Sequence, residues 1–263
     1  MSEGLLVKNL TLGYGPKTII SQMDLSITPG RFTVLAGPNG SGKSTLLRAL
    51  SGTMRPSEGE VLLDGIPVAA MPARDLARRI GILPQAPQAP EGMVVADLVR
   101  MGRFPHRSLM SRWSAKDEEA FTDALRMTGT EDLRYQPLDQ LSGGQRQRAW
   151  VAMVLAQQSR IVLLDEPTTF LDLAHQIEVL HLIEDLVRAG RTVVAVLHDL
   201  NQAARHADHL IMLNNGRVAA LGTPAEVLTS ENVGEVFGVQ VSVLTDPETG
   251  RSMCIPKARV GLG

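Results

Sequence analysis

Three short stretches of this chain hold residues whose types and spacing suit chemistry. The first reads Gly37-Pro38-Asn39-Gly40-Ser41-Gly42-Lys43-Ser44, followed by Thr45. Two glycines, a lysine and a hydroxyl at G-x-x-x-x-G-K-[ST] spacing suit a loop that wraps phosphate. Glycines let the backbone curl round an anion without Cβ clashes. Lys43 supplies a point charge for β- and γ-phosphates, and the Ser44 hydroxyl is placed to ligate Mg²⁺. The competing reading is a Gly-rich turn that only joins a strand to a helix. The flanks argue against it: Phe32 to Ala36 is an apolar run, and Leu46, Leu47 and Leu50 follow at helical spacing.

The second stretch is Asp165-Glu166, after the apolar run Ile161 to Leu164. An acidic residue at the mouth of a strand suits a nucleotide-bound Mg²⁺. A carboxylate one residue on, at Glu166, suits a general base for a water attacking in line. An exposed acidic turn that caps the next helix is the alternative. The third is Leu141-Ser142-Gly143-Gly144-Gln145, which opens a helix expected over Gln145 to Gln158. Ser142-x-x-Gln145 is itself a capping-box pattern. Paired glycines add close access to backbone N–H groups, so this is a second anion-binding helix start. The sequence leaves open whether both helix starts meet one nucleotide.

The elements that must position these residues follow from periodicity. Leu5–Tyr14 and Ile19–Ile27 read as antiparallel strands ahead of the phosphate loop, and Val61–Leu63 as another. Met71–Arg79 reads as a short helix whose Arg74, Arg78 and Arg79 form a solvated face. Ile80–Leu83 is a strand, and Ala86–Gly92 a loop. Helices are expected over Val94–Arg103 and Ala115–Met127, the latter opened by Ser114-x-x-Asp117. Asp172–Ala189 is a helix with Leu173, Ile177, Leu180, Ile183 and Val187 on one face. Val193–Leu197 is a buried strand and Asp199–Ala207 a helix. Asn214-Asn215-Gly216 signals one hairpin, and the segment around Asp246–Gly250 another. Thr223-Pro224-Ala225-Glu226 opens a helix with a capping box.

This is an α/β pattern carrying a helical insertion. The division expected is a core over 1–85 and 159–238, a helical subdomain over 86–158, and a short C-terminal β extension over 239–263.

Composition narrows the function. At 263 residues, 44% hydrophobic and 21% charged, the chain fits a soluble globular protein with a full core. A formal net charge of −2 gives no electrostatic case for nucleic acid as a partner. One cysteine, Cys254, rules out an intrachain disulfide and suits a reducing compartment. Met1-Ser2-Glu3-Gly4 lacks the features of a signal peptide, and no apolar run approaches the roughly 18 residues that span a bilayer.

In motif order and over essentially its whole length, the chain resembles the nucleotide-binding subunits of ABC transporters. Gly37–Ser44 matches Walker A, Gln85 the Q-loop, Leu141–Gln145 the signature, and Ile161–Glu166 Walker B. Leu171-Asp172 matches the D-loop and His198 the switch histidine. The resemblance implies a P-loop NTPase (ABC ATPase) core with an antiparallel β subdomain and an inserted α-helical subdomain.

It also implies ATP and Mg²⁺, with Glu166, His198, Lys43 and Gln85 catalytic and Ser44, Gln85 and Asp165 around the metal. Nucleotide contacts would come from Tyr14, stacking on adenine, from Gly37 through Thr45, and from Ser142, Gly143, Gly144 and Gln145. A head-to-tail homodimer is implied, with each ATP between the Walker A of one subunit and the signature of the other. The place of His198 after a buried strand suits a γ-phosphate contact. His175, His181, His206 and His209 lack such a setting and read as structural; Cys254 reads as inert.

Finer detail resembles ATPase subunits of ferric-siderophore importers, a group that also takes in haem and vitamin B12 importers. It lies in Gly102–His106, Trp113, Gln145–Trp150, Leu171–Gln176 and Leu197–Ala203. Thr169-Phe170-Leu171-Asp172 stands where many members have Ser-Ala-Leu-Asp, with the aspartate kept. That likeness implies integral membrane permease subunits as partners, a substrate-binding protein reached indirectly, and a peripheral place on the cytoplasmic face of the inner membrane. Gly92–Arg107 is the expected docking surface. A soluble ABC ATPase acting on DNA or ribosomes is the alternative from another class. One cassette, no sustained heptads and no basic charge argue against it, and the siderophore-type detail argues against an exporter.

Overall fold

The computed structural model describes residues 4–108, 111–169 and 171–257. Met1 to Glu3, Phe170 and the last six residues of the expected C-terminal extension lie outside the described residues. The chain runs β1 (Leu5–Tyr14), β2 (Lys17–Ile27), β3 (Phe32–Ala36), α1 (Lys43–Leu50), β4 (Glu58–Leu63), β5 (Ile66–Pro67) and α2 (Ala73–Arg79). Next come β6 (Ile80–Leu83), α3 (Val95–Met101), α4 (Ala115–Met127), α5 (Gly143–Ala156), β7 (Ile161–Asp165), α6 (Leu173–Arg188) and β8 (Thr192–Val196). The remainder is α7 (Leu200–His206), β9 (His209–Asn214), β10 (Arg217–Gly222), α8 (Pro224–Val227), α9 (Ser230–Phe237), β11 (Val241–Thr245) and β12 (Ser252–Pro256). The chain divides into two units, 1–69 with 194–263, and 70–193.

In the first unit β1 pairs antiparallel with β2 on one side and β4 on the other. Strand β3 pairs in parallel with β9, and β9 antiparallel with β10 through the Asn215-Gly216 turn. Every residue of β3 is buried, as suits a parallel strand covered on both faces. Helix α1 leaves the loop after β3 and buries Leu46, Leu47 and Leu50 completely. Hairpin β11–β12 turns Val241 and Cys254 inward.

In the second unit β6 and β7 pair in parallel, Leu83 opposite Leu164, and β7 is wholly buried. Three helices dominate the stretch between them. Helix α3 ends at Met101, short of the expected Arg103. Gly102 follows with its backbone still in the right-handed helical region, so close to the Met153 carbonyl of α5 that no Cβ fits. Arg103 then turns inward at 3% exposed and pairs with Asp117 at 3.0 Å.

Two local readings are corrected. The buried face of α6 is Val179, Leu180, Leu182, Ile183 and Leu186, whereas Leu173 is 70% exposed. Leu173 sits in the first turn, before the helix has anything to pack on. Arg74 and Arg78 are exposed, yet they are not merely solvated: both donate to the Pro105 carbonyl, at 2.9 and 2.8 Å, and Arg74 also to that of Arg107.

Candidate functional site

In the first unit the stretch from β3 to α1 is a loop built on left-handed glycines. Gly37, Gly40 and Gly42 have φ of 148°, 80° and 104°. At Gly37 a Cβ would collide with the Leu213 carbonyl and stand 2.8 Å from Ser41 Oγ, so only glycine lets β9 approach. The Gly216 N–H donates to the Ser41 carbonyl at 3.2 Å, fixing the loop from the β9–β10 turn. Lys43 is 6% exposed, and its Nζ donates to the Gly37 and Pro38 carbonyls at 2.8 and 2.9 Å. That clamps the ammonium over the loop instead of letting it reach into solvent. Asn39 and Gly40 form the exposed tip, Ser44 is half-buried and Thr45 buried.

Several observations test whether this loop fits a polyphosphate. The first turn of α1 has no acidic residue. The positive end of its dipole therefore faces the loop with no negative side chain of its own first turn against it. Ser41 Oγ is buried with no hydrogen-bond partner among the described residues. A buried hydroxyl in that state costs free energy unless an outside group meets it. A donor set of N–H, ammonium and hydroxyl, with room guarded by glycines, fits an anionic ligand.

Two more expected residues lie in this unit. Tyr14 is 49% exposed, and its hydroxyl accepts from Arg48 of α1 at 3.1 Å. The ring is thus held at one end while part of it remains open to a partner. His198 is exposed just past β8. The Leu197 N–H donates to the Leu35 carbonyl, which sets His198 beside the strand that leads into the loop. Asp199 then caps α7, its Oδ1 accepting from Asn201 N at 2.7 Å.

In the second unit the β6–β7 register sets Gln85 and Glu166 at one edge, each two residues past the Leu83–Leu164 pair. That is the carboxyl edge, where ligands bind in α/β sheets. Gln85 is exposed there. Asp165 is 4% exposed at the end of β7. Glu166 takes φ of 56°, a left-handed backbone that a non-glycine residue adopts at a cost. Its Oε2 accepts from Thr169 Oγ1 at 3.1 Å. Gln147 of α5 donates to the Pro167 carbonyl at 3.1 Å and braces the same turn. No cluster of three or more His, Cys, Asp or Glu that could hold a metal occurs among the described residues.

Helix α5 starts at Gly143, two residues earlier than expected, so both glycines are its first turn. The capping box is real: Ser142 Oγ accepts from Gln145 N at 3.2 Å, and Gln145 Oε1 accepts from Ser142 N at 3.0 Å. It satisfies the Gln145 amide and leaves those of Gly143 and Gly144 without an intrahelical acceptor. The cap and the anion site are therefore compatible. Ser142 and Gly143 are exposed, and Gly144 is buried.

Asp172 caps α6 through Oδ1, which accepts from His175 N at 3.0 Å and from His175 Nδ1 at 2.6 Å. These bonds, the backbone one foremost, hold the Asp172 carboxyl below its ordinary value. The ring of His175 lies against Gly144. Sequence reasoning set His175 aside. The Asp172–His175 spacing of three was the available signal, since it puts a donor over the capping carboxylate.

Residues 20–169 match the ABC transporter family. The chain is 49% identical to the ferric enterobactin transport ATP-binding protein of Escherichia coli strain K12, over 96% of this chain and 93% of that one. Among solved structures, an inward-facing metal-chelate type ABC transporter matches with a TM-score of 0.84 at 31% identity, covering 98% of this chain and 99% of that one. A bacterial ABC transporter cassette solved as a dimer matches with a TM-score of 0.75 at 31% identity, covering 84% and 98%. The fold is that of an ABC ATPase, and the chain belongs to the ABC transporter family.

Proposed function

We propose that this chain is the ATP-hydrolysing motor of an importer for chelated ferric iron. The observation that carries the reading is the clamped glycine loop from Gly37 to Lys43, in a chain 49% identical to a ferric enterobactin transport ATP-binding protein. Gly37 through Thr45 hold the phosphates, Lys43 the β- and γ-oxygens, and the free edge of Tyr14 the adenine. Base–aromatic stacking contributes about 1–3 kcal/mol and tolerates any base. Ser44, Asp165 and Gln85 would hold Mg²⁺, which would neutralise phosphate charge when bound.

Glu166 accepts a proton from the attacking water, with its carboxylate steadied by Thr169, and His198 contacts the γ-phosphate. Two copies work head to tail. Ser142, Gly143, Gly144 and Gln145 of one copy meet the nucleotide held by the other, which supplies an acceptor for the open amides of α5. The cassette solved as a dimer supports this arrangement by likeness.

No helix of the described residues is long and apolar enough to cross a membrane. Separate permease subunits therefore form the path, with this chain docked peripherally on the cytoplasmic face and a substrate-binding protein acting through the permease. The helical stretch 86–158 passes motion to the permease, with 92–107 as the docking surface. Phe104 there is 60% exposed, on a segment braced by Arg74.

The test is Glu166→Gln. The variant is expected to bind ATP, accumulate as a closed dimer and turn over at least about a hundredfold more slowly. Turnover near that of the unaltered chain would remove Glu166 from the base role.

A further inference from the structure

Helices α5 and α6 meet at their amino ends through one side chain. A Cβ at Gly144 would stand 3.3 Å from Cγ, 3.4 Å from Cδ2 and 3.5 Å from Nδ1 of the His175 ring. The same ring donates from Nδ1 to Asp172 Oδ1 at 2.6 Å. The His175 side chain is 32% exposed and that of Asp172 is 67% exposed.

Capping α6 needs only the bond from the His175 backbone N–H to Asp172, and any residue supplies that. The ring bond is an addition. It requires the proton on Nδ1 and so fixes the tautomer and the ring plane. The ring then stands beside Gly144 so that a Cβ there would press on it, tightly at Cγ and at ordinary contact distance for Cδ2 and Nδ1. Gly144 is the second residue of α5, and its amide is one of the two that the capping box leaves open. A rigid five-membered ring thus lies between Asp172 and the start of the neighbouring helix.

We propose that His175 is a positioning residue, coupling the Asp172 turn to the anion-facing amides of Gly143 and Gly144. A displacement of Asp172 in the dimer then resets the signature helix start against the nucleotide. This rests on the proposed role of Ser142 to Gln145 at the nucleotide. It also gives the pairing of glycine at 144 with histidine at 175 a reason that helix capping alone does not supply.

The test is a double-mutant cycle in the full chain, with kcat and KM for ATP and thermal melting measured together. Gly144→Ala and His175→Ala are each expected to lower kcat about tenfold and change KM less than about twofold. The double variant is expected to be no slower than Gly144→Ala alone, since removing the ring makes room for the methyl. His175→Gln, which can still donate to Asp172, is expected within about threefold of the unaltered chain. Losses that multiply to about a hundredfold would make the two sites independent and overturn the coupling. So would a lowered melting temperature in His175→Ala at unchanged kcat, the mark of a plain cap. Should Gly144→Ala fail to fold, His175→Gln against His175→Ala decides, and equal losses overturn it. An unaltered chain without ATP turnover would sink the proposed function and the coupling together, whereas multiplied losses in an active enzyme would sink the coupling alone.

Discussion

The Thr169 hydroxyl donates to the Glu166 carboxylate at 3.1 Å, across a turn in which Glu166 itself takes a left-handed backbone. The bond holds one carboxylate oxygen and so sets the orientation of the proposed base. Thr169→Val is therefore expected to lower kcat about tenfold with little change in KM for ATP, because the base loses its orientation and not the nucleotide its site. Thr169→Ser keeps the donor and is expected to stay within about threefold. Steady-state ATPase assays on the two variants check this, and equal effects would show that the hydroxyl does not matter.

Arg103 and Asp117 form a buried pair in the helical part of the second unit, at 4% and 6% side-chain exposure. Arg103 also donates to the Ala156 carbonyl at 2.7 Å and to Gln158 Oε1 at 3.1 Å. Removing one partner leaves a buried charge alone, so Asp117→Asn is expected to destabilise the fold by about 3–5 kcal/mol. Burial by itself pushes the Asp117 carboxyl up, but hydrogen bonds from Ser114 and Arg103 outweigh it and hold the carboxyl below its ordinary value. The pair's stabilisation is then fully present above the unfolded value near about pH 4 and is lost as pH falls through the lower, folded value. Urea unfolding between pH 7 and 3 should show the gap between the unaltered chain and Asp117→Asn closing only at the acid end.

Gly37 is the loop position with least room. Its φ of 148° and the approach of the Leu213 carbonyl leave no place for a Cβ. Gly37→Ala is expected to displace Ser41 and the carbonyl that Lys43 grips, and to weaken ATP binding at least about tenfold. Titration with a fluorescent ATP analogue reads this. Gly40→Ala serves as the contrast: it meets no atom within 4 Å, and its loss should come only from its left-handed backbone.

Cys254 is held from both sides by Asn201, which accepts from the Cys254 N–H at 2.7 Å and donates to its carbonyl at 3.2 Å. Burial, with the Asp199 charge behind it, pushes the thiol above its ordinary value. Thiol labelling of the native chain should be slow at neutral pH. Asn201→Ala removes both bonds, about 1 kcal/mol each, and should speed labelling several-fold while leaving ATP turnover unchanged.

The strands and the phosphate loop were legible because their signals are local. β3, β7 and β8 are short, mostly apolar and wholly buried, and the loop needs glycine at fixed positions whatever surrounds it. The capping boxes at Ser114, Ser142 and Thr223 were read from two residues each; the first two form in full, and at the third Glu226 accepts from the Thr223 N–H at 2.8 Å. What could not be read depends on contacts far apart in the chain. Position 102 must be glycine because it abuts the Met153 carbonyl, 51 positions away, and no spacing near Gly102 encodes that. Leu173 fits the apolar period of α6 but sits in a turn with nothing to cover it. His175 looked like any helix-surface histidine, since its partner Gly144 lies 31 positions earlier. The burial of Arg103 depends on Asp117, 14 positions later on α4, which no local pattern around Arg103 announces.

The central claim is that ATP turnover at Glu166 drives uptake of chelated ferric iron. The measurement that meets it directly is uptake of radiolabelled ferric siderophore, haem and cobalamin by cells carrying either the unaltered chain or Glu166→Gln. Loss of ferric-siderophore uptake alone in the variant is the predicted result. Loss of haem or cobalamin uptake alone would contradict the cargo while keeping the motor, and unchanged uptake of all three would contradict the import role itself.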